Sequence, residues 1–269
     1  MSSLRPVHRN LVSQLFDSVR EPEFWAYASW LDVATRHRRT SLGFIWFLAP
    51  TAMFILVLGN VYSHLMGHPT AQYLPYLGVG YVVWRFMLQI INDSVSTFQS
   101  HKAFIMDGRT RLTDFILRCF AKAGYQLLFG MIVVFCVMLW SPDMSVARML
   151  TLAVTFPILL LNLAWIAVCL ALVGARFREF HEVMGTVLMV GFLVTPVLWT
   201  VDRFPPDSLR GMVVRFNPAF HMIDIVRAPV LGSMPERSSW VFVSVMALIG
   251  WPLAALLYRR YARFVPIWV

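Results

Sequence analysis

Five residues share one helical face. Tyr81, Arg85, Gln89, Asn92 and Ser96 recur at spacings of 4, 4, 3 and 4, the repeat that stacks side chains one above another on a helix. They begin at the end of a stretch, Thr40 to Trp84, that holds no Asp, Glu, Lys or Arg, so the stripe is polar inside a membrane. A cation near mid-bilayer costs about 2.5 to 3.5 kcal/mol on insertion scales. Arg85 is therefore expected to face protein, water or a phosphate, with Asp93 a candidate partner in a network. Contact with a substrate headgroup in a pore and an ion pair between helices satisfy that demand equally.

Aromatic residues crowd the same region: Trp46, Phe47, Phe54, Tyr62, Tyr73, Tyr76, Tyr81, Trp84, Phe86, Phe192 and Trp199 fall in three apolar stretches. The faces of pyranose rings present C–H groups that stack on aromatic faces, so one reading is a sugar path. The other is an interfacial belt or lipid-facing packing.

Nothing comparable supports catalysis. The two lysines follow His101 and Ala121, so there is no GxxxxGK[ST] loop to cradle phosphates, and HExxH, CxxC and GxSxG are absent. Glu179, His181 and Glu182 are too close in sequence to converge from one helix. His64 and His68 lie four apart and read as a solvated turn rather than half of a zinc site. Cys119, Cys136 and Cys169 each sit alone in an apolar stretch and read as packing residues. The chain is expected to be neither an enzyme nor the holder of a metal or cofactor.

A membrane domain must position the stripe. The 269 residues are 58% hydrophobic and 14% charged, with a mean hydropathy of +0.65, whereas a soluble domain carries roughly a quarter charged residues. Such a composition excludes disordered and disulfide-scaffold chains. The net charge of +9 comes from 21 Arg and two Lys against 14 acids. In a membrane chain it reports orientation and contact with anionic lipid rather than nucleic acid.

The 45 uncharged residues from Thr40 to Trp84 would make a helix roughly twice as long as a bilayer core of about 30 Å. Two spans must fold into it, with a turn at HLMGHPTAQ, where Gly67 and Pro69 break the helix. Spans are expected at about 42–65, 73–96, 117–140, 149–174, 183–201 and 239–258. Residues 22–35, PEFWAYASWLDVAT, predict an amphipathic helix lying in the interface plane. The first forty residues contain no apolar run long enough for a signal-peptide core. The fold class is thus an all-α polytopic membrane protein: a cytoplasmic arm with its interface helix (1–40), a transmembrane domain (41–258) and a tail (259–269).

Six spans put both termini on one side of the membrane. Fourteen basic residues fall on that side and six on the other, so the termini are expected to be cytoplasmic. Arg118 and Lys122, at the inner end of the third span, are expected to snorkel to the headgroups. The inner loop 99–114, QSHKAFIMDGRTRLTD, is a mixed-charge knob suited to docking on a partner protein. The outer loop 202–238 carries Pro205, Pro206, Pro218 and Pro229 around the half-apolar AFHMIDIVRAPVLG. It predicts re-entrant or interfacial half-helices, tolerated where protein surrounds them.

Four segments carry a family likeness. RRTSLGFIWFLAP at 38–50, SHKAFIMDGRTRLTDFILR at 100–118, GARFREFHEVMGTVLMVGFLVTPVLW at 174–199 and NPAFHMIDIVRAPVLG at 217–232 resemble, in order and spacing, the permeases of ABC-2-type polysaccharide exporters. The O-antigen lipopolysaccharide exporters are most alike, with capsule exporters next. The resemblance implies a homodimer joined to two copies of a separate ATPase that holds ATP and Mg. It implies export of undecaprenyl-diphosphate-linked polysaccharide from the cytoplasmic leaflet of a bacterial inner membrane. By the family pattern, residues 24–37 are the interface helix. Residues 101–112 are the coupling helix, with Lys102, Phe104, Asp107, Arg109 and Arg111 toward the ATPase. Residues 202–235 form the outer gate, with Asn217, Pro218, His221, Asp224 and Arg227. Spans one and five flank the dimer interface and a lateral opening, their aromatics facing the sugar chain beside the Tyr81, Arg85 and Gln89 stripe. The coupling loop departs from the pattern, having MDGRTRLTD where many relatives carry a proline. Exporters of teichoic acid or of a small lipid or drug are the nearest rivals; a membrane-embedded glycosyl- or acyltransferase and a passive channel are remoter ones.

Overall fold

The structure, a computed structural model, describes residues 10–37, 45–108, 110–139, 149–201, 204 and 208–269. Among them the chain is helical and contains no strand. Two helices, α1 (Leu11–Arg20) and α2 (Glu23–His37), precede α3 (Ile45–Met53), which runs through a π-helical turn (Phe54–Leu58) into α4 (Gly59–Met66). Next come the long α5 (Thr70–Ser100), the short α6 (Lys102–Asp107), α7 (Leu112–Met138), α8 (Leu152–Arg176) and α9 (Phe180–Val194). Two shorter helices, α10 (Leu209–Arg215) and α11 (Pro218–Val230), lead to α12 (Arg237–Tyr261) and the terminal turn α13 (Val265–Trp268).

Among the described residues, five stretches are long and apolar enough to cross a membrane: Leu48–Met66, Thr70–Ser100, Leu112–Met138, Leu152–Arg176 and Arg237–Trp268. The first two are separated where Gly67 and Pro69 predicted a break. Gly67 adopts a φ of 72° and closes α4, a left-handed conformation that glycine takes without steric penalty.

The stretch expected to be the fifth span is shorter than that expectation. Helix α9 has 15 residues, roughly 22 Å, and a bilayer core is about 30 Å thick. Thr195 ends it because the residue before a proline is pushed out of the α region; its φ and ψ are −81° and 137°. The chain then runs without helix through Pro196, Val197 and Leu198, all buried.

Helix α5 is the hub and the most buried of the five membrane-length helices. It packs along α7 and α8 and also meets α4, α9 and α11. The approach to α8 is close enough to require a glycine: a Cβ on Gly174 would lie 1.8 Å from the Val95 carbonyl oxygen. Helix α8 in turn packs on α12, where Asn162 Nδ2 donates to the Val243 carbonyl at 3.1 Å.

At the end of the bundle that carries the C-terminal turn, α1 packs against α7 and α12. Ser18 Oγ lies 2.7 Å from Thr113 Oγ1, and the Tyr258 hydroxyl donates to Gln14 Oε1 at 2.6 Å. Helix α2 lies along α7. Arg118 and Lys122, expected to reach for headgroups, instead meet Asp32 of α2 at 2.6 and 3.4 Å.

Candidate substrate path and its two ends

Most of α5 is enclosed by its neighbours, while its polar stripe is only partly covered. Tyr81, Arg85, Gln89, Asn92 and Ser96 are all half-buried, while Val82, Val83, Trp84, Phe86, Met87 and Ile90 between them are buried. The Tyr81 ring stacks on Phe54 of the π turn, centroids 3.7 Å apart and planes within 7°. Phe54 also meets Phe192 of α9 edge-on at 6.2 Å, and Phe192 lies 5.7 Å from Trp84. The Arg85 guanidinium stands 5.9 Å from the Tyr81 ring. Five of the expected path residues, Phe54, Tyr81, Trp84, Arg85 and Phe192, thus form one cluster. Gln89 lies one turn further along the stripe.

Two more, Tyr62 and Trp199, border a separate groove of about 680 Å³ between α4, the end of α9 and α10. The side chain of Trp46 and all of Arg109 lie outside the described residues. Such a surface offers π faces, one fixed cation and amide and hydroxyl groups in a row. It suits a polyhydroxylated ligand with an anionic head, and it has no nucleophile–base pair. Among the described residues no cluster of three His, Cys, Asp or Glu forms a metal site, and Glu179, His181 and Glu182 are all exposed.

On the α11 side of the bundle the non-helical segment after α9 exposes carbonyl groups deep in protein, where an unpaired one is costly. Helices α5 and α11 supply the donors. Arg227 is 4% exposed; its Nη1 donates to the Pro196 carbonyl at 2.7 Å, and its guanidinium lies 4.0 Å from the Tyr76 ring centroid. The Tyr76 hydroxyl donates to the Trp199 carbonyl at 3.1 Å and the Tyr73 hydroxyl to that of Leu198. Asn217, which caps α11 through Ala219 N–H, donates from Nδ2 to Thr195 Oγ1 at 2.9 Å.

The other expected gate residues tie α11 to α12. Pro218 occupies the first turn of α11. Asp224 Oδ2 accepts from Ser239 Oγ at 2.7 Å and from Glu236 N–H at 3.0 Å. His221 Nε2 donates to the Arg215 carbonyl at 2.7 Å, with Nδ1 at 2.9 Å from Ser239 Oγ. Burial pushes this imidazole below its usual pKa, against the pull of the Arg215 carbonyl and the Asp224 and Glu236 charges.

On the opposite side, α6 joins α5 to α7 and presents Lys102, Asp107 and a 49% exposed Phe104, while Ile105 points inward. Phe104 leans edge-on against Phe24 of α2 at 5.9 Å. Arg111 is not on that surface. Its backbone N–H donates to Asp114 Oδ2, capping α7, and its guanidinium holds Glu21 at 2.8 Å. Asp32 of α2, which meets α7 through Arg118 and Lys122, was not singled out by sequence reasoning. Burial pushes its carboxyl up, but the Arg118 hydrogen bond and charge, with Lys122, outweigh that and hold it below its ordinary value. Tyr73 and Tyr76 were also missed as donors; the spacing YLPY was visible, but their partners are backbone carbonyls, which a sequence does not display.

Residues 25–231 match the ABC-2 type transporter family over most of the chain. This chain belongs to that family. The permease is also similar to the O-antigen export system permease protein RfbA of Myxococcus xanthus, 21% identical over 248 residues, which are 87% of this chain and 90% of that one. The family makes it a transporter membrane subunit. Its polar and aromatic stripe therefore belongs to a transport protein rather than to a catalyst.

Proposed function

We propose that the chain is the membrane-spanning subunit of an ATP-driven exporter of lipid-linked polysaccharide, with an undecaprenyl-diphosphate-linked O antigen as substrate. It works as two copies joined to two ATPase subunits, which bind ATP and Mg, in a bacterial inner membrane with both termini cytoplasmic. The observation that carries this reading is the stripe on α5: a partly uncovered polar face of the most buried membrane-length helix places Arg85 beside Tyr81, whose ring stacks on Phe54. The likeness to an O-antigen export permease supports the choice of glycan.

In this reading α6 receives the movement of the ATPase and passes it directly to α5 and α7, the helices it joins. Arg85 attracts the diphosphate, while the aromatic faces hold sugars weakly enough for the polymer to advance. The donors on α5 and α11 hold the segment after Thr195 in one of two discrete arrangements, and ATP binding shifts the balance between them.

Deletion of the gene, with a hydrolysis-dead partner ATPase in a parallel strain, tests the reading. Loss of surface polysaccharide with intracellular accumulation of lipid-linked glycan is expected in both strains. Unchanged surface polysaccharide refutes the substrate, and loss without accumulation assigns the defect to synthesis.

A further inference from the structure

Helix α12 is the least covered of the five membrane-length helices. Between it and α8 runs a groove of about 770 Å³, from Arg237 and Ser238 at one end, past Val241 and Val245, to Leu253 at the other. Sixteen residues of helix separate Arg237 from Leu253, about 24 Å, which exceeds the roughly 15 Å of hydrocarbon in one leaflet. The far wall is the Trp165 indole, seated on Gly250 so closely that a Cβ there would meet the ring at 2.2 Å. Trp165 Nε1 donates to Asn162 Oδ1 at 3.3 Å, and Asn162 holds α12 through the Val243 carbonyl, so this wall is fixed.

The groove is apolar along its length and polar at one mouth. There Ser238 Oγ donates to Glu236 Oε2 at 2.9 Å, and Glu236 is engaged by Arg215 at 3.1 Å. Arg237 is exposed, and among the described residues no acid pairs with it. A cation over the end of a leaflet-length apolar trough complements a lipid with a negative head and a single long chain to lay down.

We propose that this groove binds an anionic glycerophospholipid, one acyl chain against Trp165, Val245 and Ile249 and its phosphate at Arg237, in the leaflet on the α11 side. A zwitterionic lipid brings an ammonium group to the same mouth and binds less well. The site is separate from the α5 stripe and does not depend on what the stripe transports.

Bromine quenches indole fluorescence at contact, and Trp165 forms the wall. The full-length chain in phosphatidylcholine vesicles is titrated with dibrominated phosphatidylglycerol or with phosphatidylethanolamine carrying the same chains; subtraction of Trp165→Phe isolates the groove signal. Half-quenching by the anionic lipid is expected at an about fivefold lower mole fraction, the attraction of one basic residue near a membrane surface. Arg237→Gln should bring the two titrations together and Arg237→Lys keep them apart. Coincident wild-type titrations, or a preference that survives Arg237→Gln, overturn the proposal. Native mass spectrometry of the wild-type chain after extraction provides a check free of substitutions: one retained phosphatidylglycerol per chain is expected, and equal retention of both lipids, or of neither, overturns it.

Discussion

The guanidinium of Arg227 donates to the carbonyl oxygen of Pro196 at 2.7 Å, so a buried cation on α11 completes the backbone of the segment where α9 stops. The same guanidinium rests on the Tyr76 ring at 4.0 Å. Replacing Arg227 with Ala leaves the carbonyl without that donor and the ring face bare. A loss of about 3 kcal/mol is expected from a charged hydrogen bond and a desolvated cation–π contact together. Thermal unfolding of the purified chain should show its midpoint several degrees lower; an unchanged midpoint would mean that Pro196 is held by other groups.

A glycine pair tests the packing of the hub. Gly174→Ala places a methyl 1.8 Å from the Val95 carbonyl oxygen and must push α8 away from α5, at a cost of about 2 to 3 kcal/mol. Gly124→Ala, in α7, meets no heavy atom within 4 Å. It should be neutral or gain up to about 1 kcal/mol from helix propensity. Thermal midpoints of the two variants should therefore fall on opposite sides of, or one well below and one at, the wild-type value; equal destabilisation of both would contradict the close α5–α8 approach.

Asp32 gives the structure a sensitivity to acid. Its carboxyl pKa is held low by Arg118 and Lys122 despite the upward push of burial. A carboxyl depressed on folding stabilises the native state above its unfolded pKa of about 4 and loses that contribution as pH falls through the lower native value. The groups are partly exposed, so the clamp contributes about 1 kcal/mol or less. The stability gap between wild type and Asp32→Asn should be present at pH 7 and shrink below about pH 4. A gap of the same size at both pH values would show that the charge of Asp32 is not its source.

Arg85 is the charge on which the transport reading turns. Arg85→Ala should abolish export of surface polysaccharide while leaving thermal stability and assembly with the ATPase intact, and Arg85→Lys should restore part of it. Normal surface polysaccharide in the Ala variant would remove Arg85 from the headgroup role.

Several elements could be read before any coordinates. The 45 uncharged residues, the Gly67 and Pro69 break and the period of the Tyr81 stripe each report a local property, and each has a counterpart in the helices described above. What escaped was non-local. Arg118 and Lys122 looked like membrane-surface cations because their partner, Asp32, lies 86 residues from Arg118. Helix α1 escaped because its inward face includes Gln14 and Ser18, which carry no apolar signal. The early end of α9 was legible in Thr195–Pro196, but the expectation of a full-length span overrode it.

Phe54 and Tyr62 are eight residues apart, and at about 100° per residue an unbroken α-helix would leave them about 80° out of line. The π turn between Phe54 and Leu58 is wider and rotates less per residue, which removes much of that offset. Both side chains consequently look toward α9: Phe54 meets Phe192, and Tyr62 borders the groove with Leu193 and Val194. The π turn thus absorbs one extra residue without loss of phase between the two halves of the first crossing. Straightening it into α-helix at the same residue count would set the two aromatics about 80° apart, whereas deleting one position between them would leave seven residues, about 700° of rotation, and keep them nearly in line.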